Sequence, residues 1–238
     1  MIAGKRVLAV VPARSGSKGI PDKNLQVVGG ASLIARAGMT LRACASVDRS
    51  IISTDSERYA QEARRHGLDA PFLRPAALST DTAGAVETMV HAIEAAESHY
   101  GEHYDIVLIV EPTCPLRRAE DVEGALRLLV ESGAQSVVTV SRVDAKFHPH
   151  KILKIEGERL AFHDPAAAGV TARQSLGALY YRNGACYALT RPCLMDSKVI
   201  FSDDTRPYVI ERAIVNIDEP LELDIARYLS SPADAAQP

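Results

Sequence analysis

Between Pro12 and Asn24 the chain carries Arg14, Lys18 and Lys23 against one acid, Asp22, with Gly16, Gly19, Ser15 and Ser17 interspersed. Cations at this density call for an anion, and Gly and Ser let backbone N–H groups turn inward, so the segment reads as a cradle for a polyphosphate. It lacks the Gly-Lys-Ser/Thr ending of a P-loop and the three glycines of a dinucleotide fingerprint. The competing reading is an ordinary turn with a solvated charge cluster, because Lys and Arg are mostly surface residues. Near the other end, Asn216 and Asp218 flank Ile217. On a strand their side chains would share one face, a donor set that suits a hard cation such as Mg²⁺ completed by nucleotide phosphates. Alternatively, Asp218 and Glu219 cap the helix expected from about Pro220, with Glu222 adding to the charge complement.

The elements that must position these groups follow from periodicity. Apolar runs at Arg6 to Val11, Ser50 to Thr54, Ile106 to Val110 and Ser136 to Val140 read as strands. Between them, Leu33, Ile34, Ala37 and Leu41 form one helical stripe, Val86, Met89, Val90 and Ile93 another, and Val122, Ala125, Leu126 and Leu129 a third. His66-Gly67 and Ser132-Gly133 are helix stops. Strand and helix alternation through about residue 140 predicts a mainly parallel sheet covered by helices, with ligands beyond the carboxyl ends of its strands. The loop at 12–24 and the segment Glu111 to Arg117 both leave that edge. After Val140 the rhythm breaks. Lys151 to Ile155 and Arg159 to Phe162 flank Glu156-Gly157-Glu158 as a β-hairpin, Asp164 to Gly169 reads as a mobile loop, and Tyr208 to Val215 as a returning strand. Residues 1–140 are thus expected to form the nucleotide-binding core, 141–207 an insertion, 208–229 a return to the core through a strand and a final helix, and 230–238 a disordered tail.

The loop closely resembles the nucleotide-binding signature of the acylneuraminate cytidylyltransferase family, carried by Ala13-Arg14, Ser17-Lys18-Gly19, Pro21 and Lys23-Asn24. Further family-like segments follow in order: Ser53-Thr54-Asp55, Leu73-Arg74-Pro75, Asp81-Thr82-Ala83, Glu111 to Arg117, Arg173-Gln174, Asn183-Gly184-Ala185 and Asn216-Ile217-Asp218. The resemblance implies a three-layer Rossmann-like α/β nucleotidyltransferase fold whose insertion mediates dimerisation and lends residues to the neighbouring sugar site. It also implies transfer of CMP from CTP to the anomeric hydroxyl of a nonulosonic, sialic-acid-like nine-carbon sugar, with pyrophosphate released. In that scheme Ala13, Arg14, Ser15, Gly16, Ser17, Lys23 and Asn24 hold the nucleotide, and Arg74, Thr82 and Ala83 line the base pocket. Arg14, Lys18, Lys23 and the loop amides meet the phosphate charge, and Asp218 with Asn216 holds Mg²⁺. Glu111, Thr113, Arg173, Arg182, Asn183 and Tyr187 face the sugar.

Several of these residues have a second reading. Asp81 and Thr82 are also placed to cap a helix from Gly84 to Tyr100. Arg173 suits the substrate carboxylate, since a guanidinium matches it bidentately. Tyr187 serves equally as pocket wall or core. Two positions depart from the family pattern: Asn216 stands where Asp is usual, removing one negative charge, and Glu111 stands where Gln is usual. A carboxylate at 111 would repel an acidic sugar unless a cation balances it, and Arg182 is the candidate, its alternative being a plain surface residue. These departures keep open legionaminic, pseudaminic or eight-carbon ulosonic acids as acceptors, and also a nucleotide-binding module that has lost catalysis.

Composition narrows the rest. The chain has 238 residues, 47% hydrophobic and 24% charged, with a formal charge of −3, which gives no support to nonspecific binding of nucleic acid or anionic membrane. Arg14 interrupts the N-terminal apolar run before a signal-peptide core forms, and no run reaches transmembrane length, so the expected compartment is the cytoplasm. Cys44, Cys114, Cys186 and Cys193 lie scattered without a Cys-x-x-Cys pair, as reduced and mostly buried thiols. His148-Pro149-His150 lacks a third clustered ligand and reads as a loop at the hairpin entrance rather than a metal site. Ser53 and Ser175 have no nucleophile-elbow context.

Overall fold

A computed structural model describes residues 1–169 and 177–231. Apolar runs without polar alternation demand burial on both faces, and Val7–Pro12 (β1) meets that demand inside a six-stranded sheet. The pairs Val27–Val28 (β2) and Ala31–Ser32 (β3) form a small ladder, Arg49–Ser53 (β4) and Ile106–Ile109 (β5) flank β1 in parallel, and Ser136–Arg142 (β6) follows. Leu153–Glu156 (β7) and Arg159–Phe162 (β8) form the expected hairpin. Tyr180–Thr190 (β9) and Thr205–Val209 (β10) complete the sheet, in the order β10-β6-β9-β5-β1-β4. All neighbours are parallel except β9, which runs antiparallel to both β5 and β6.

Leu33–Arg42 (α1), Glu57–Arg65 (α2), Ala85–Tyr100 (α3), Ala119–Ser132 (α4), Arg191–Met195 (α5) and Pro220–Leu229 (α6) are the helices. The strands' period of two sorts their side chains into two cores. Val7, Ala9 and Val11 pack with Ile34, Leu41, Tyr59, Val122 and Leu129 of α1, α2 and α4. Leu8 and Val10 pack with Met89, Ile93 and Leu194 of α3 and α5 on the opposite face. This is the expected three-layer α/β arrangement. Ser32 Oγ accepts the Ala35 N–H at the start of α1, and Gly133 at φ 67° closes α4 where the sequence placed a stop. No helix among the described residues is long and apolar enough to cross a membrane.

Two sequence expectations need correction. The expected insertion at 141–207 contains β9 and part of β10, both members of the main sheet, while the β7–β8 hairpin forms a separate two-stranded ladder. The expected returning strand at 208–215 is displaced: β10 ends at Val209, and Asn216 to Asp218 run in an irregular segment rather than a strand. Arg173, Ser175 and residues 232–238 of the expected tail lie outside the described residues.

The register of β6 against β9 shifts between Val138 and Val140, where Asn183 and Gly184 bulge, with Gly184 at φ 72°. Asn183 fills this irregularity. It is fully buried, its Oδ1 accepting from Thr139 Oγ1 at 2.7 Å and from the Ala185 N–H at 3.1 Å, while its Nδ2 donates to Ser141 Oγ at 3.0 Å. Its amide is therefore spent inside the sheet instead of facing a ligand. Asn183→Ala would strand these groups without partners, an expected loss of about 1–3 kcal/mol per unsatisfied group. Urea unfolding measures this loss; the sugar KM of the folded fraction is expected to stay unchanged.

Candidate active site

Order reverses at β1, which pairs with β4 on one side and β5 on the other. The crevice beyond such a switch point is where doubly wound sheets bind ligands. Pro12 at the end of β1, Glu111 just past β5, Tyr187 and Arg182 of β9, and Arg74 line a cavity of about 260 Å³ there. Glu111, Arg182, Tyr187, Arg74 and Ala83, all named from the sequence, thus share one cavity with Pro12, where the cation loop begins.

The loop is held by carboxylates. Arg14 Nη1 lies 2.7 Å from Asp81 Oδ1 and Lys18 Nζ 2.6 Å from Asp81 Oδ2, so one acid bridges both cations. The helix that Asp81 and Thr82 were placed to cap has Gly84 as its N-cap, without a side-chain cap, so capping is not what Asp81 does. Thr82 meets Thr80 at 3.4 Å between hydroxyls, and the Ala83 N–H bonds the Thr80 carbonyl. Lys23 reaches the opposite rim, donating to the Ile217 carbonyl at 3.0 Å and to Asp218 Oδ1 at 2.9 Å. Gly19 lets this seam close, because a Cβ there would stand 2.9 Å from the Asp218 carbonyl oxygen.

The loop's amides behave differently from expectation. The Ala13 N–H bonds Ser53 O, the Ser15 N–H and hydroxyl both bond Asp55, and the Ser17 N–H bonds Ser15 O. These three N–H groups are committed to shaping the loop. Asp55, to which no role was assigned from sequence, is the residue that pins Ser15. The side chains of Arg14, Lys18 and Lys23 carry the positive charge that the loop offers an anion. Asn24 is buried, donating to the Arg14 carbonyl at 3.3 Å.

Arg74 is buried under the crevice. Its Nε donates to Ser53 Oγ at 3.0 Å, Nη2 to Ser53 O, and Nη1 to Leu78 O at 3.4 Å. Burial is the main influence pulling its pKa below the ordinary guanidinium value, with nearby Arg14 adding to the pull.

On the sugar side, Glu111 is displaced toward neutrality by burial. Neighbouring Tyr187 opposes that shift, followed by Arg117, while Arg182 is a weaker counterweight and forms no ion pair with it. The expected Glu111–Arg182 partnership is thus replaced by Tyr187 and Arg117. Tyr187 serves as wall and core together, lining the cavity while packing among Val138, Ile109 and Leu189. Thr113 is half-buried, its carbonyl accepting the Ile217 N–H at 2.8 Å.

The metal candidates divide cleanly from the capping alternative. Glu219 is the N-cap of α6, its side chain accepting the Glu222 N–H while Glu222 Oε2 accepts the Glu219 N–H at 2.8 Å and the Asp218 N–H at 2.6 Å, so Glu219 and Glu222 cap the helix and the Asp218 carboxylate faces Lys23. Asn216 Oδ1 is buried without a hydrogen-bond partner. An orphaned amide oxygen two residues from a carboxylate is a hard-oxygen donor set that fits Mg²⁺. Among the described residues no group of three or more His, Cys, Asp or Glu clusters for a metal. His148 Nδ1 instead accepts the His150 N–H, and His150 pairs with Asp164 at 3.0 Å. All four cysteines are free and buried, and desolvation pushes Cys44 and Cys186 up to about 12 and Cys114 to about 11, so they stay thiols.

The family model described as Cytidylyltransferase matches residues 8–207. The CMP-N,N'-diacetyllegionaminic acid synthase of Legionella pneumophila is 28% identical over 93% of this chain and 94% of its own length. The N-acylneuraminate cytidylyltransferase of Escherichia coli is 28% identical over 93% of this chain, which spans 51% of that relative. The pseudaminic acid cytidylyltransferase of Campylobacter jejuni is 26% identical over 93% of this chain and 95% of its own. A solved CMP:2-keto-3-deoxy-manno-octonic acid synthetase complexed with CTP superposes with a TM-score of 0.70, at 18% identity, over 94% of this chain and 98% of its own.

The Asp81 bridge yields an expected outcome. Lys18 first and Arg14 second hold the Asp81 carboxyl below its ordinary value of 3.8. A depressed carboxyl contributes its contact fully above the ordinary value and loses it only as the pH falls through the lowered one, so the bridge persists at neutral pH. Asp81→Asn removes the competing charge and is expected to tighten CTP binding severalfold in calorimetry at low salt; unchanged or weaker binding contradicts the bridge's competition with phosphate.

Proposed function

The chain belongs to the cytidylyltransferase family, and on that premise we propose that it transfers CMP from CTP to the anomeric hydroxyl of a nonulosonic acid. The observation that carries this reading is the cavity at the end of β1, where Pro12, the first residue of the cation loop, shares the lining with Arg74, Glu111, Arg182 and Tyr187, while Asn216, which contacts Glu111, lies two residues from the Asp218 that pairs with Lys23. A triphosphate and an acidic sugar would meet there. The sugar's anomeric oxygen attacks the α-phosphorus in line and loses its proton, a new P–O bond forms, the α–β bridge breaks, and pyrophosphate departs. Such a transfer asks the protein mainly for positioning and charge neutralisation. Arg14 and Lys18 would release Asp81 to meet the leaving phosphates, while Lys23 stands at the junction with Asp218. Asn216 and Asp218 would hold Mg²⁺, which when bound supplies charge neutralisation to the phosphate oxygens. Arg74, fixed by Ser53, would present the base pocket with Ala83, and Arg173 would take the sugar carboxylate.

A homodimer is part of this proposal. The hairpin projects Ile155 at 77% and Leu160 at 70% exposure, side chains that a second copy would cover. A cytoplasmic setting is likewise proposed, consistent with four cysteines kept as thiols.

Pyrophosphate release from CTP and Mg²⁺ across N-acetylneuraminic, legionaminic, pseudaminic and eight-carbon ulosonic acids tests the reading. Release is expected only with sugar present, and a lack of release with every sugar contradicts it. Lys23→Ala and Arg14→Ala are each expected to lower kcat by about 10²–10³-fold, the usual cost of one preorganised contact to developing charge. Near-normal rates in both variants would remove the phosphate-cradle assignment.

A further inference from the structure

The two positions where the chain departs from the pattern it resembles touch one another. Asn216 Nδ2 donates to Glu111 Oε2 at 3.5 Å, a contact at the outer limit of a hydrogen bond. Gly184 makes room for the pair: a Cβ there would stand 2.4 Å from Glu111 Oε2 and 3.1 Å from Asn216 Nδ2. The segment carrying Asn216 is pinned beside Glu111 by the Ile217 N–H to Thr113 carbonyl bond of 2.8 Å. Ile217 itself is fully buried with Ile20, Leu33 and Leu223, while its neighbours Asn216 and Asp218 contact Glu111 and Lys23 respectively. The Asn216 amide is poorly served there. Its nitrogen has one long contact, and its oxygen is buried with none. A buried, unpaired amide oxygen normally carries a free-energy cost unless something on the site's working form satisfies it. Turning the amide about its last torsion would bring Oδ1 beside the Glu111 carboxylate, and two oxygens side by side need a cation between them.

We propose that Glu111 is a further ligand of the divalent cation, joining Asn216 Oδ1 and the Asp218 carboxylate. The site's second negative charge then sits at 111 rather than at 216, so the two departures compensate each other. This rests on the reading that a cation serves nucleotide transfer here, and it changes the meaning of Glu111. A carboxylate engaged with a cation does not face the acidic sugar as a bare charge, so no partnership with Arg182 is needed for that sugar to bind.

The test is Mn²⁺ titration followed by the electron paramagnetic resonance of free Mn²⁺, on the wild-type chain, Glu111→Gln, Asn216→Asp and the double variant E111Q/N216D. Glu111→Gln is expected to weaken Mn²⁺ binding by at least about tenfold. Asn216→Asp, which adds a carboxylate, is expected to tighten it, and the double variant, with the number of carboxylates restored, to return close to wild type. Equal Mn²⁺ affinity in wild type and Glu111→Gln overturns the proposal, as does a wild-type chain that takes up no Mn²⁺. Thermal unfolding in chelator checks that each variant is folded. Should Glu111→Gln fail to fold, the Asn216→Asp arm decides alone, an unchanged affinity overturning the proposal. CTP titration in chelator separates this from the parent reading: a chain that binds Mn²⁺ as expected but no CTP contradicts the transferase function and leaves the ligand assignment standing.

Discussion

The site depends on a constraint of charge: Arg14, Lys18 and Lys23 lie on one short loop and must each be near an anion. Without a nucleotide the chain supplies its own, Asp81 for the first two and Asp218 for the third. The Lys23 side chain is 16% exposed, whereas the Asp81 pairs are exposed, with the Lys18 side chain at 80% exposure and Asp81 at 42%. Ion pairs of that kind contribute only about 0–1 kcal/mol, because water screens them and ordering two long side chains costs entropy. They are strong enough to hold the loop open in one shape, yet weak enough to exchange for a triphosphate carrying several negative charges.

Everything that makes the exchange specific lies deeper. Arg74 is clamped on both the side chain and carbonyl of Ser53, the last residue of β4. Ser15 is clamped on Asp55, two residues further along the same exit. The end of β4 therefore sets the position of Arg74 relative to the cation loop. On the other wall, β5 and β9 pair with Ile109 opposite Tyr187, which places the tyrosine beside Glu111 in the lining of the cavity. Buried polar contacts of this kind carry geometry because leaving them unmade is expensive.

Much of this was legible in the sequence, for reasons particular to each residue. The β1 run and the cation loop announce themselves because their signals are local: an unbroken apolar stretch, then Gly, Ser and like charges. The alternation up to residue 140 gave the layers for the same reason. β9 escaped because Asn183-Gly184 reads as a turn, and only Thr139 and Ser141 on a neighbouring strand convert that dipeptide into a bulge within one continuous strand. Asp81 looked like a helix cap since it precedes α3 by a few residues, and its partners lie more than sixty positions earlier in the chain. The same holds for Asp218. Glu219 and Glu222 form the capping pair that the sequence offered, and what sequence could not show is that Asp218 turns to Lys23, almost two hundred positions earlier, instead of joining them.

The central claim is that the carboxylate of Asp81 occupies the place that phosphate takes during the reaction. A crystal structure of the chain with CTP tests it most directly. The account predicts that Arg14 and Lys18 leave Asp81 and contact the triphosphate, with Lys23 turned from Asp218 toward the α-phosphate. A nucleotide bound in the crevice while Asp81 still bridges Arg14 and Lys18 would contradict it.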